Sequence, residues 1–218
     1  MLPSLTGPQQ PPASGGAPRQ LVVLLHGVGA DGSDLIGLAP YWAEVLPEAE
    51  FLAPDAPFPC DMAPVGRQWF SLQDRTPAAI LAGVRATAPI LDAFLDDALA
   101  TRGLDDSRLA LVGFSQGTMM SLYVGPRRAM APAGIVGYSG AMIGADDLPR
   151  EIRARPPVLL VHGDADEVVP PRALPMAVKA LEAAGVSVES LTRPGLGHGI
   201  DEVGLRQGGA FLRRVLGG

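Results

Sequence analysis

The sequence predicts an α/β protein, a mostly parallel β-sheet with helices packed on both faces. Three observations predict it. Short unbroken apolar runs alternate along the chain with longer segments whose apolar residues recur at three- and four-residue spacings. Several of these runs end in Gly- or Asp-rich turns, as buried parallel strands do where they open into functional loops. Finally, 218 residues, 47% hydrophobic and 18% charged, supply one core of ordinary size and leave no material for a large lid domain. The 27 Gly and 22 Pro show no three-residue period, so they are turns of a folded chain rather than a collagen repeat.

Taken in order, residues 1–20 are rich in Pro, Gly, Ser and Gln and are expected to form an extended arm that lies on the body or is partly disordered. A single domain follows over 21–218. Residues 21–25 (LVVLL) form the first strand and 51–53 a shorter one, closed by PDAPFP. Segment 77–102 reads as a helix, with Leu81, Val84, Ala88, Leu91, Leu95 and Leu99 on one stripe; Pro89 is expected to kink it or mark its effective start. Residues 108–114 (RLALVGF) are a strand running into a helical QGTMMSLYVG, and 134–138 and 157–161 are two more strands. Leu174, Val178 and Leu181 mark a helix ended by Gly185, 186–191 alternates like an edge strand, and 200–216 closes the chain as a helix.

Charge and cysteine content narrow the setting. Seventeen Lys and Arg against 23 Asp and Glu give a net charge of −6 with no basic run, which argues against a nucleic-acid or anionic-lipid partner. Cys60 has no partner for an internal disulfide, which fits a reducing compartment. No apolar run approaches the ~18 residues of a membrane span, and the first 20 residues lack the basic and apolar regions of a secretory signal. A cytoplasmic protein without stable membrane insertion is expected.

In such a fold the chemistry sits at the carboxyl ends of the strands, here HGVGADG, PDAPFP, SQG, SGAM, HGDADE and RPGLGHG. Gly27, Gly29 and Gly32 spell a dinucleotide fingerprint, with Asp55 placed 23 residues after the last glycine. At this glycine content about 0.4 such matches arise by chance, so the pattern carries little weight. The stronger signal is Gly113-Phe114-Ser115-Gln116-Gly117, a G-x-S-x-G between a strand and a helix. A serine on so sharp a turn projects its hydroxyl above the sheet, and only small residues two positions away tolerate the strain. About 0.15 matches are expected by chance.

A serine nucleophile needs a base, and the chain has three histidines. His26 and His162 sit at strand ends, where an imidazole ordinarily braces neighbouring loops. His198 lies in a Gly-flanked loop downstream of every other candidate. Ser115, an acid among Asp164, Asp166 and Glu167, and then His198 follow the chain order of α/β-hydrolases. Residue chemistry alone leaves the acid open. Two N–H donors are needed for the oxyanion: Gln116 N–H at the helix start, and Val28 N–H in the turn after the first strand. No set of ligands at a recognisable spacing marks a metal site.

With these residues assembled, the chain resembles the phospholipase/carboxylesterase family of small α/β-hydrolases, which includes the acyl-protein thioesterases. The likeness runs from about Leu21 to Leu216 through LLHGVGADG, APDAPFP, RQWFSL, GFSQGTMM, YSGAM, VLLVHGDADEVVP and GLGHGI. It implies a lid-poor serine hydrolase acting on small acyl esters, thioesters or lysophospholipids, with no metal and no cofactor. It also implies Asp166 as the acid beside Ser115 and His198, Val28 and Gln116 as oxyanion donors, and Trp69 as an aromatic near the substrate cleft. Thioesterase-like members tend to carry Asp after Trp-Phe, where this chain has Ser71. By residue type, Phe58, Met62, Met119 and Met120 are further candidates to line an apolar acyl pocket, although such residues fill cores by default. An acyltransferase using the same acyl-enzyme and a non-catalytic binding protein of the same fold are the alternatives. The sequence leaves a homodimer open without predicting one.

Overall fold

The computed structural model describes residues 3–217. In chain order its strands are β1 (Gln9–Gln10), β2 (Gln20–Leu25), β3 (Ala49–Leu52), β4 (Phe58–Pro59), β5 (Arg67–Gln68), β6 (Leu109–Phe114), β7 (Gly134–Tyr138), β8 (Val158–Gly163) and β9 (Val188–Arg193). The helices are α1 (Gly32–Ile36), α2 (Ala39–Ala43), α3 (Pro77–Arg102), α4 (Gln116–Val124), α5 (Leu148–Glu151), α6 (Ala173–Ala183) and α7 (Glu202–Leu216). Among the described residues one sheet has the order β1-β3-β2-β6-β7-β8-β9, parallel throughout except for β1. Strands β4 and β5 form a separate antiparallel pair.

The apolar runs are continuous because both faces of the sheet are covered. Leu21, Val23, Leu25, Leu109, Leu111, Ile135, Val158 and Leu160 face one cluster with α3, α4 and α6. Val22, Leu24, Ala110, Val112, Val136, Leu159 and Val161 face the other, with α1, α2 and α7. Successive residues of each strand thus enter opposite cores, the two-residue period of a pleated strand.

Parallel register then levels the strand ends. Leu25 pairs with Gly113, Phe114 with Tyr138 and Tyr138 with Val161, so the residues just beyond those pairs form a row across the carboxyl edge. Gly27, Ser115, Ser139 and His162 stand in that row.

The structure decides several points that the sequence left open. Pro89 neither starts nor ends α3, which runs unbroken from Pro77; Thr76 caps it by accepting the Ala79 N–H, and Pro77 occupies the first turn, where no N–H is needed. Over its most apolar 18 residues α3 has a mean hydropathy of 1.5, long and apolar enough to cross a membrane, a feature that scanning for unbroken apolar runs misses. In the fold its Val84, Ile90, Leu91, Leu95, Ala98 and Leu99 lie in the core against the sheet. The arm is tied to the body: Gln9 and Gln10 pair with Leu52 and Phe51, Leu5 is buried, and Pro8 O and Thr6 O accept the N–H groups of Ala53 and Asp55 at 3.0 and 2.8 Å. Met1 and Leu2 of that arm lie outside the described residues.

Helix α4 is seated on β2 with no space for a side chain at Gly117, where a Cβ would come 1.7 Å from the Leu25 carbonyl oxygen. Gly117→Ala is therefore expected to cost about 3 kcal/mol or more, because main chain on both sides must move. Urea denaturation measures this, and a wild-type midpoint would show that α4 does not rest on Leu25.

Candidate active site

Ser115 is the last residue before α4 and has φ 54° and ψ −115°, a conformation that L-residues rarely adopt. The turn holds it there. Its N–H bonds Tyr138 O at 3.0 Å, and its carbonyl accepts the Met119 N–H at 3.1 Å. Thr118 Oγ1 reaches Gly113 O and Tyr138 O, both at 2.8 Å, lashing the first turn of α4 to β6 and β7. A Cβ on Gly113 would lie 2.3 Å from Thr118 N, so the flanking glycines answer to the tightness of the turn.

Asp166 and His198 meet above the row. His198 Nδ1 lies 2.8 Å from Asp166 Oδ2, and its ring packs on Phe114, next to Ser115, with centroids 4.8 Å apart. The Asp166 carboxylate is closed off from solvent. Its other oxygen accepts the N–H groups of Val168 and Val169, each at 2.9 Å. Burial pushes this carboxyl up, but the hydrogen bonds from His198, Val169 and Val168 outweigh it, so its pKa falls below the usual 3.8. Asp166 therefore remains a carboxylate well into acid. Behind it, His162 Nε2 bonds Val169 O at 2.9 Å and lies 3.3 Å from Asp166 Oδ2, bracing the acid loop.

The His198 loop is pinned at several points. Asp164 Oδ1 accepts the Gly195 N–H at 2.6 Å, and Ala165 N–H bonds Leu196 O at 3.0 Å. Arg193 bonds Asp201 at 2.8 Å across the base of the loop. Asp201 in turn caps α7 through the Gly204 N–H. Asp164 and Asp166 thus have separate partners, and among the described residues no cluster of three or more His, Cys, Asp or Glu is placed to hold a metal.

The turn after β2 is equally constrained. His26 is fully buried; Nδ1 lies 2.7 Å from Gly27 O and Nε2 accepts the Ala56 N–H at 2.9 Å, which assigns the proton to Nδ1. Gly29 N–H bonds Arg67 O and Ala30 N–H bonds Gly27 O, whereas the N–H of the preceding Val28 has no protein acceptor among the described residues. Gln116 is the first residue of α4, so its N–H has no partner within the helix. Asp55 does not face a nucleotide site: its Oδ1 accepts the Gly32 N–H at 2.9 Å and locks the same turn.

Other candidates fall in different places. Trp69 has no exposed surface; its Nε1 bonds His26 O at 2.9 Å and its N–H bonds Gln116 Oε1 at 3.1 Å, so it offers substrate no face and instead joins the two turns. Met119 is half-buried against the core, one turn into α4. Phe58, in β4, is 38% exposed, and Met62, in the β4–β5 connection, is 53% exposed. Ser71 donates to Asp61 at 2.5 Å, so a carboxylate does stand beside that position, supplied by another segment. Sequence reasoning missed the Gln116 side chain, whose Nε2 bonds Phe70 O at 2.8 Å, and Arg67, whose contacts are mostly to main chain and leave no residue pattern.

Burial pulls the His26 imidazole below its usual 6.5, against the raising effects of its bond to Gly27 O and of Asp55, Asp31 and Asp34. The unfolded chain then binds this proton more tightly than the folded one, so stability is full above pH 6.5 and declines as pH falls towards the folded value. Melting temperatures are expected to drop between pH 7 and 5, and less steeply in His26→Gln. Equal slopes in the two proteins would remove His26 as the responsible group.

Comparison with known proteins identifies the family. The phospholipase/carboxylesterase family matches residues 12–216. Esterase YpfH of Escherichia coli K12 is 29% identical over 183 residues, covering 84% of this chain and 77% of that protein. Acyl-protein thioesterase 1 of Gibberella zeae is 26% identical and covers 89% and 90%. The crystal structure of esterase PE8 superposes with a TM-score of 0.94 at 43% identity, over 98% of this chain and 100% of that one. The chain belongs to the phospholipase/carboxylesterase family of α/β-hydrolases.

Proposed function

We propose that the protein is a serine carboxylesterase that hydrolyses small carboxylic esters through an acyl-enzyme on Ser115. The reading is carried by the 2.8 Å contact between His198 Nδ1 and Asp166 Oδ2, on a loop packed against the residue preceding a serine at φ 54°. With Nδ1 committed to a carboxylate, His198 Nε2 is the nitrogen left to accept a proton. It takes the Ser115 proton as Oγ attacks the ester carbonyl. The tetrahedral oxyanion is met by the N–H groups of Val28 and Gln116, the latter at the positive end of α4. His198 returns the proton to the departing alcohol, leaving Ser115 acylated. Water then attacks the acyl-serine with His198 again as base, which releases the carboxylic acid and restores Ser115.

Asp166 holds the imidazole in the Nδ1–H tautomer and stabilises its charged form. The relatives' names add esterase and thioesterase activities, so thioesters belong beside oxygen esters in the assay. A fluorophosphonate probe is expected to label Ser115 in folded protein, and Ser115→Ala to abolish both labelling and ester hydrolysis. Asp166→Asn is expected to lower kcat by about 10³–10⁴-fold through loss of the tautomer. The measurement is initial rates on p-nitrophenyl esters of increasing chain length, beside a thioester and a lysophospholipid. An active Ser115→Ala variant refutes the mechanism, and folded wild-type protein that is neither labelled nor active favours a binding protein.

A further inference from the structure

We propose that Arg67 is a positioning residue for the oxyanion site: its main chain and its guanidinium together fix the turn that carries the Val28 N–H. The proposal rests on the esterase reading above and assigns a role to a side chain which that reading does not use.

Val28 lies at the centre of a closed circuit of hydrogen bonds. On one side Arg67 brackets the turn with its backbone, accepting the Gly29 N–H and donating to Ala30 O, both at 2.8 Å. That approach is as close as main chain allows: a Cβ on Gly66, which has φ +86°, would lie 2.1 Å from Gly29 O. The Arg67 side chain then turns to the loop after β3, where Nε bonds Ala56 O at 2.8 Å and Nη2 bonds Pro57 O at 2.9 Å. The N–H of that same Ala56 bonds His26 Nε2 at 2.9 Å, and His26 Nδ1 returns to Gly27 O at 2.7 Å. Residues 26–27 and 29–30 are thereby tied, from both sides, to one arginine.

The same short segment reaches the second donor. Two residues on, Trp69 bonds His26 O through its ring and Gln116 Oε1 through its main chain. Residues 67–69 therefore set the position of the Val28 turn relative to Gln116, which is the separation an oxyanion experiences. Such donors act by being in place before charge develops, and an error near 1 Å costs on the order of 100-fold. A planar fork suits the task because Nε and Nη2 meet two carbonyls at once; an ammonium on a flexible stem does not fix both in one geometry.

Arg67→Met keeps the aliphatic stem and the main-chain bonds while removing the fork. For a p-nitrophenyl ester its kcat is expected to fall about 10–100-fold with KM within about 2-fold. Affinity for a trifluoromethyl ketone, whose hemiketal oxyanion occupies the same donors, is expected to weaken in proportion to kcat/KM. Arg67→Lys should lie between Arg67→Met and wild type in both measurements, and it carries the test if Arg67→Met does not fold. A wild-type kcat in a folded variant, or a fall in kcat with ketone affinity unchanged, overturns the proposal. Ser115→Ala assayed alongside keeps the readings apart. If it is active, the acyl-enzyme mechanism fails; if it is inactive while Arg67→Met behaves as wild type, only the role of Arg67 fails.

Discussion

The carboxyl end of the sheet is organised around one backbone conformation, the positive φ of Ser115. Holding a non-glycine residue there costs about 1–3 kcal/mol, so the surroundings must over-determine it. They do so through main chain: Ser115 N–H is taken by Tyr138 O, its carbonyl by Met119 N–H, and α4 is pressed so closely on β2 and β6 that Gly113 and Gly117 have no space for a Cβ. The strain is thus carried by three central strands, β2, β6 and β7, and one helix, all of them almost wholly buried. Ser139, the other non-glycine residue with positive φ among the described residues, stands next to Ser115 in the strand-end row. Its Oγ lies 3.3 Å from Gly199 O, beside His198, so the second strained position also meets the loop of the proposed base.

From that rigid row outward, the loops are fixed less by packing than by hydrogen bonds between segments far apart in sequence. Residues 193–201 are tied by Asp164, Ala165 and the Arg193–Asp201 pair. The turn after β2 is held by Asp55, Ala56 and Arg67, and Asp55 in turn bonds Thr6 of the N-terminal arm. The arm therefore has a place in the chain of support: it closes the open edge of β3 and steadies the loop that steadies His26. A parallel sheet edge left bare would offer unpaired main chain to other molecules, and Gln9–Gln10 cover part of it.

What the sequence made legible follows from this division. Strands buried on both faces leave unbroken apolar runs, and the helices leave stripes, so β2, β6, β7, β8, α3, α6 and α7 were readable within a few residues. Ser115 was readable because its turn demands glycine on both sides, and His198 because the chain has few histidines and only one sits in a loop flanked by glycines. The arm's strand, the β4–β5 pair and Arg67 were not readable. Their bonds go mainly to carbonyls and N–H groups, which every residue possesses, so no side-chain pattern records them. Trp69 shows the converse: its type suggested a surface for substrate, but its ring N–H found a buried carbonyl, as indoles do when a core has room for them.

The three histidines show how environment divides one chemistry into separate roles. His26 spends both ring nitrogens on main chain, one towards Gly27 O and one on Ala56 N–H, and burial keeps it neutral; it has no nitrogen left for substrate. His162 directs Nε2 into Val169 O from a side chain that is 3% exposed, so its available proton faces the acid loop rather than the nucleophile. His198 alone couples a buried carboxylate at Nδ1 to a ring that remains partly exposed and packs on Phe114, the residue before Ser115. A general base must hold one nitrogen in a fixed tautomer while the other meets a moving proton. Of the three imidazoles only His198 satisfies both conditions: Asp166 fixes its Nδ1, and neither main chain nor side chain claims the other nitrogen among the described residues.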